Sequence, residues 1–567
     1  MNRVTGSMLL VMLTCLQVFA ADLPDSGRIL RESTPPPDLM PMRKPPVFNI
    51  PEQQEGVVEQ GGVRIMVSGF RFSGNSAITT QELEQLVKGY QGRELNLSEL
   101  HKIADLVMQL YRTRGYFLAR AFIPAQTLKQ GESIVIQVVE GNLEELKIQT
   151  SPPATRTPRW LMEGLASGVT IGSAVEDDSL TRASMLLNEL SAISSRIVLE
   201  PGEKAGGTKA VIEVKEDKGW GLALDADNAG NYSTGYYRVG ASFELYSPLH
   251  LGDRLDLRFQ SATGGDSQNL RFGYGVPVNR YGTRLDLNYS WVSYQLGRSY
   301  QSLDASGTAH DIGLTLSHPL LRSRFAVLNS TLGVNGKLLE DLIKSSAIDN
   351  SRHTVSVQVG LNGYLLDDLF TTDASTFFSA VFSWGQLDFD NQQAMQSDQA
   401  QSGLHTKGGY SKLAVTMGRT QNLFAGFSLY GSLNGQWGDK NLDSSEQISL
   451  GGPNAVRAYP VGEASADLGI VFTGELRYLL PKLGPLPGNI QLSGFVDQGY
   501  AEIDAKPLSG EHNNIRNLTG TGFGFNWFDA NNFLVKTSVA WRLSAPPTSD
   551  NTEGTKPTVY FQMIKRF

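Results

Sequence analysis

A chain of 567 residues with a formal net charge of −8 and a pI near 5.5 lacks the basic footprint of a general nucleic-acid binder. Its 7 histidines are scattered without metal-ligand spacing, and its one cysteine, Cys15, lies in the N-terminal segment, so neither a thiolate metal site nor a disulfide framework is expected. Mean hydropathy is only −0.20, which suits a soluble β protein or a membrane barrel, whose alternating strands escape hydropathy.

Residues 1–20 read as a secretory signal peptide: Arg3 supplies the positive start, residues 8–19 are largely apolar, and Ala20 is a small residue at the expected cut. Residues 21–61 follow as a short helix and a Pro-rich linker. Within them, residues 25–32 (DSGRILRE) predict two helical turns capped by Asp25, too short to stand without a docking site, with a disordered mature N-terminus as the alternative reading. Pro35, Pro36, Pro37, Pro45 and Pro46 stiffen the rest.

From residue 62 the order becomes strand, helix, helix, strand, strand. Residues 63–72 are strand-like, and Thr79 and Glu82 form a predicted capping box. Asn96 caps a second helix in which Leu100, Ile103, Ala104, Val107 and Tyr111 recur at helical spacing, and Gly115 stops it. Residues 116–123 and 133–139 then read as strands. The same order returns over residues 142–217, so residues 62–141 and 142–217 form two α+β modules in series, an internal repeat. This arrangement resembles the paired POTRA domains of outer-membrane protein transporters.

Over residues 218–567 helical periodicity largely disappears, and about sixteen segments of alternating character follow, the even number that a single-chain bacterial barrel requires. Segments at 307–318, 322–335 and 352–363 are among them. Connections after even-numbered segments are mostly short and those after odd-numbered ones lengthen, the turn distribution of a transmembrane barrel with both chain ends in the periplasm. In the last segment Phe561, Met563, Lys565 and Phe567 alternate, with Phe567 suited to an interfacial aromatic girdle.

The loop at residues 438–465 exceeds the length at which a connection is a mere turn. It contains Gly451-Gly452-Pro453 and then Val456-Arg457-Ala458-Tyr459, while Phe495-Val496-Asp497-Gln498-Gly499 lies one strand further on. These stretches resemble the Val-Arg-Gly-Tyr and Phe-x-Asp-x-Gly motifs of the two-partner secretion transporters, within the superfamily of BamA. The resemblance covers nearly all of the chain after the signal. It implies a 16-stranded antiparallel transmembrane β-barrel behind two POTRA domains, in the bacterial outer membrane with the modules in the periplasm. Folding a long loop into a barrel costs ordering entropy, which a guanidinium fork on a carboxylate can offset. Arg457 is expected to clasp Asp497 on the inner wall, with Val456, Tyr459, Phe495 and Gly499 beside them, and Gly451 and Gly452 allowing the bend. Ala458 replaces the glycine of the family motif, and a left-handed backbone there would be strained.

A free sheet edge can bind an extended polypeptide. Tyr116, Phe117, Leu118, Arg120 and Phe122 are the expected client-binding edge of the first module, and the resemblance implies a large, unfolded, Sec-exported exoprotein as the client. Outer-membrane lipid, and periplasmic chaperones with the barrel-assembly machinery during biogenesis, are the other expected partners; no nucleic acid, metal or cofactor is expected. No nucleotide loop or catalytic serine motif is present, so a non-enzymatic transporter is the reading, in which residues 26–32 are expected to plug the pore at rest. A barrel-insertion factor is the alternative, though such proteins carry more POTRA modules. A diffusion porin leaves the modules unexplained, and a barrel hydrolase lacks its motifs.

Overall fold

The computed structural model describes residues 23–34, 64–127, 131–204, 206–264, 266–508, 514–548 and 557–567. The segment read as a signal peptide and the Pro-rich part of the linker lie outside these residues. The short helix between them, α1 (Ser26–Ser33), forms with Asp25 as its cap, the carboxylate accepting from the Arg28 amide at 2.9 Å.

In the first module, strands Gly69–Ser73, Ser133–Val139 and Arg120–Phe122 make a three-stranded sheet with the first two parallel, backed by helices Thr80–Val87 and Leu97–Thr113. The longer helix buries Leu100, Ile103, Ala104, Val107 and Tyr111, the stripe its spacing dictates. It opens on a full capping box between Asn96 and Glu99. At Thr79 only half of the expected box forms: the hydroxyl accepts from the Glu82 amide at 3.3 Å, but the Glu82 carboxylate turns instead to Arg114. The second module repeats the order, with strand Asn142–Ser151, helices Arg159–Ala166 and Asp177–Asn188, and strands Ile193–Pro201 and Gly207–Glu216.

Sixteen antiparallel strands, from Trp220–Asp227 to Thr558–Arg566, close into one barrel. The closing pair is short, running from Gln562 opposite Asp227 to Arg566 opposite Ala223. Alternation decides what faces lipid. In Ile348–Asp367, Val355, Val357, Val359 and Leu361 are exposed on the outside while Arg352, Thr354 and Ser356 are buried inside.

Every predicted barrel segment lies on a strand, but several strands run longer than the alternation suggests, three of them most of all. Ala305–Arg322, Ala326–Ile343 and Ile348–Asp367 have 18, 18 and 20 residues, against the roughly 9–11 needed to cross a bilayer. Beyond the expected limits Glu340 and Ser351 lie on the outer face, where the sheet rises past the apolar band and the period-2 hydrophobic signal fades. The second module docks under the periplasmic turns. Arg322 forks onto Glu189 at 2.5 and 3.2 Å, and Gly252 and Gly282 let Leu161, Leu190 and Leu186 approach the turns closely.

Candidate functional site: an inward loop clasped to the barrel wall

Residues 439–467 connect two adjacent barrel strands, yet their apolar side chains point into the barrel rather than to solvent. Leu450, Val456, Ala458 and Tyr459 are buried with Val471, Phe495, Ala501, Leu518 and Ala540 of the inner wall. Bare backbone on the wall makes this possible. A Cβ at Gly499 would meet Leu450 at 2.9 Å and Val456 at 3.1 Å, and one at Gly469 would meet Ile448 at 2.8 Å. Within the loop, Gly452 has φ +119°, a region that favours glycine, and the bend is stitched by a bridge between Gly451 and Val456.

The structure brings Arg457 and Asp497 together. The guanidinium donates from Nε to Asp497 Oδ2 at 2.8 Å and from Nη2 to Oδ1 at 2.7 Å, and the Arg457 amide adds a third bond at 3.1 Å. Thr473 Oγ1 donates a fourth at 3.0 Å, so the fully buried carboxylate is well satisfied. Arg457 Cζ lies 3.4 Å from the centroid of the Phe495 ring, which closes one face of the guanidinium. Tyr459 reaches further across: its hydroxyl bonds Ser544 and the Ala545 carbonyl at 2.8 Å each, and its own carbonyl accepts from Tyr560 at 2.8 Å.

Three participants carry no motif. Glu475 accepts from Arg457 Nη1 at 2.6 Å and from Arg477 Nε at 2.6 Å, so two guanidiniums face two carboxylates. The Lys536 ammonium faces the same four groups, so the cations here exceed the carboxylates by one, and the close pairing of each carboxylate matters because an unpaired buried charge is costly. Gly520 is the third, since a Cβ there would lie 2.6 Å from that of Ala458. Inward parity on their strands was the available signal for Glu475 and Arg477; for Gly520 there was none. Ala458 itself does not take the left-handed backbone considered above, so its methyl group brings no strain in φ.

The barrel also holds α1. Ile29 and Leu30 are buried against Val292, Tyr294, Ala309 and Leu339 of the inner wall. On the other side Arg31 donates to the carbonyls of Ser444 and Gln447 at 2.9 and 2.7 Å and to Ser465 Oγ at 2.7 Å, all three on the inward loop. The lumen is thus occupied by both elements.

The expected client edge is divided by the structure. Only Arg120–Phe122 is strand, with Arg120 and Phe122 exposed on the free edge. Tyr116, Phe117 and Leu118 instead form a turn after Gly115 (φ +89°) and face the second module. Phe117 and Leu118 pack on its core, and the Tyr116 hydroxyl donates to Glu176 at 3.0 Å. Strand periodicity at 116–123 was misleading because apolar residues at a module junction look the same as those at a sheet edge.

The profile of the family described as "Haemolysin secretion/activation protein ShlB/FhaC/HecB" matches residues 206–527, and that of the "POTRA domain, ShlB-type" matches residues 65–141. The chain belongs to the haemolysin secretion/activation family. Among its relatives, the "Heme/hemopexin transporter protein HuxB" of Haemophilus influenzae (strain 86-028NP) is 26% identical over 496 residues, covering 87% of this chain and 85% of the relative. "Outer membrane transporter CdiB" of Escherichia coli O6:K15:H31 is 25% identical over 449 residues, covering 77% and 73%. The solved structure of CdiB from Escherichia coli superposes with a TM-score of 0.71 at 22% identity, covering 98% of each chain, a likeness of fold. This secretion protein is an outer-membrane transporter of the two-partner type, with its POTRA modules in the periplasm and a secreted exoprotein as partner.

Proposed function

We propose that this transporter captures its exoprotein at the exposed edge of the first POTRA module and passes it unfolded through the barrel. The observation that carries this is the pairing of Arg457 with Asp497, which holds a 29-residue loop (residues 439–467) inside the lumen beside α1. A pore filled by two removable elements is a gated one. Client engagement displaces α1 and shifts the loop, opening a passage lined by inward polar residues such as Asp225, Arg258 and Gln260. The protein performs no catalysis in this reading, and folding of the client outside the cell supplies direction.

Arg120 and Phe122 offer the free backbone edge and an exposed ring to an extended chain. During its own biogenesis the barrel is handed by periplasmic chaperones to the barrel-assembly machinery, and its apolar belt then meets outer-membrane lipid. Co-expression with candidate exoproteins, scoring release into the medium, tests the reading. Release that depends on this chain supports it; release of no large exoprotein encoded beside it sinks it.

A further inference from the structure

A second ionic junction, separate from the Arg457 clasp, joins three parts of the molecule. Arg352, on the inner wall, has a side chain only 3% exposed. Its Nη2 donates to Asp25 of the α1 cap at 2.8 Å, its Nη1 to Asp341 of the neighbouring wall strand at 2.6 Å, and its Nε to Asp443 of the inward loop. One guanidinium therefore serves a carboxylate from the helix, one from the wall and one from the loop.

The surrounding bonds tie the same three parts. Ser444 of the loop donates its hydroxyl to Asp25 at 2.7 Å. Asp341 accepts from the Ser26 amide at 2.7 Å, from the Ser26 hydroxyl at 2.9 Å and from Tyr294 at 2.6 Å. The N-terminus of α1 thus points its free amides at an acidic wall, where its dipole offsets part of the excess negative charge. Close packing leaves no slack, since a Cβ at Gly27 would collide with Ser444.

We propose that Arg352 is a positioning residue that makes retention of α1 and retention of the inward loop depend on each other. If α1 leaves, Arg352 loses Asp25 and Asp341 loses two donors. If the loop leaves, Arg352 loses Asp443, Asp25 loses the Ser444 hydroxyl, and Arg31 loses its three acceptors. Each departure weakens the anchorage of the other element, so the lumen empties cooperatively. Such coupling is reciprocal by necessity: what the loop does for the helix, the helix does for the loop. Three carboxylates on one cation also keep the resting state poised, because Asp25 is attracted by Arg352 and repelled by Asp341 and Asp443.

The inference rests on the gated-pore reading for its consequence, but its measurement needs no client. In a Cys15→Ser background, Ile29→Cys reports α1 exit and Ala464→Cys, buried in the loop where it packs on the wall, reports loop displacement, each by the rate of labelling with a maleimide in purified full-length protein. Asp443→Asn removes no hydrogen bond of α1 and relieves the repulsion that Asp443 exerts on Asp25, so the rise in labelling at position 29 of about fivefold or more that is expected can come only through the loosened loop. Asp25→Asn, outside every barrel strand, is expected to raise labelling at position 464 in the same sense. In an Arg352→Gln background Asp443→Asn should add nothing further at position 29, the signature of a coupling carried by that residue. Unchanged labelling at position 29 in Asp443→Asn, or an equal increase with and without Arg352, overturns the proposal. Heat-modifiable mobility identifies variants that fail to assemble, and for these Asp25→Asn decides when read with and without Arg352→Gln, because Asp25 also meets Ser444 of the loop directly: an equal rise at position 464 in both backgrounds overturns the proposal. A wild-type protein that secretes nothing would defeat the transport reading while leaving these labelling results intact.

Discussion

The methyl group of Ala458 fills the space that Gly520 leaves open on the barrel wall, with only 2.6 Å between it and a Cβ built at position 520. Loop and wall are therefore fitted residue by residue around the clasp. Gly520→Ala is expected to push the loop off the wall at a cost of about 1–3 kcal/mol, reducing secretion and raising protease sensitivity of the loop. Adding Ala458→Gly should restore both. Failure of the second change to rescue the first would show that the fit is unimportant.

Arg457→Ala leaves Asp497 buried with one remaining side-chain partner, Thr473, and removing one partner of a buried pair typically costs about 3–5 kcal/mol. Secretion should fall at least tenfold while the barrel still shows heat-modifiable mobility. Arg457→Lys keeps the charge but loses the fork and the flat face on Phe495, so it should rescue poorly. Normal secretion by either variant removes the clasp from the mechanism.

In the first module Glu140 is 4% exposed and sits under the chain at residues 76–77. Burial alone pushes its pKa up, but the Ser76 hydroxyl and amide, the Tyr111 hydroxyl and the Ala77 amide all donate to the carboxylate and outweigh it, leaving the pKa below the ordinary 4.5. A depressed folded-state value means that the stabilisation is present above the unfolded pKa and disappears as pH falls through the folded one. Protection factors for amide exchange at Ser76 and Ala77, which divide out the intrinsic pH dependence, should fall below about pH 4 in the native chain. Glu140→Gln should lose about 1–3 kcal/mol of module stability at neutral pH and show little further change on acidification.

Phe117 and Leu118 lie against the second module, whereas Phe122 faces solvent. Phe117→Ala and Leu118→Ala are expected to loosen the junction between modules, seen as faster proteolysis near residue 141. Phe122→Ala should leave proteolysis unchanged and weaken client capture in pull-down with the exoprotein N-terminus. The opposite pattern would return residues 117 and 118 to the client surface.

Element type and order were readable because they rest on local patterns. The stripe from Leu100 to Tyr111, the cap at Asp25 and the alternation of Val355, Val357, Val359 and Leu361 each declare themselves within a dozen residues. Arg457 and Asp497 could be picked out because both stand in short motifs. Glu475 could not, since an acidic residue on a lumen-facing strand is unremarked until its neighbour is known. The module junction was hidden for a related reason: Phe117 and Leu118 are apolar whether they meet a client or another domain.

By itself, then, the chain specified two α+β repeats, the alternating strands of a β-barrel and a long loop with a charged tip, all consequences of periodicity and side-chain chemistry at short range, while the inward course of that loop was implied by the resemblance of its motifs. Only the tertiary structure decided that Asp25, Asp341 and Asp443 converge on Arg352, residues that stand 327, 11 and 91 positions from it in sequence. No local pattern encodes that meeting. It arises because closure of the barrel brings distant strands around one lumen, and the polar groups packed into that confined space must find partners among whatever the fold places there.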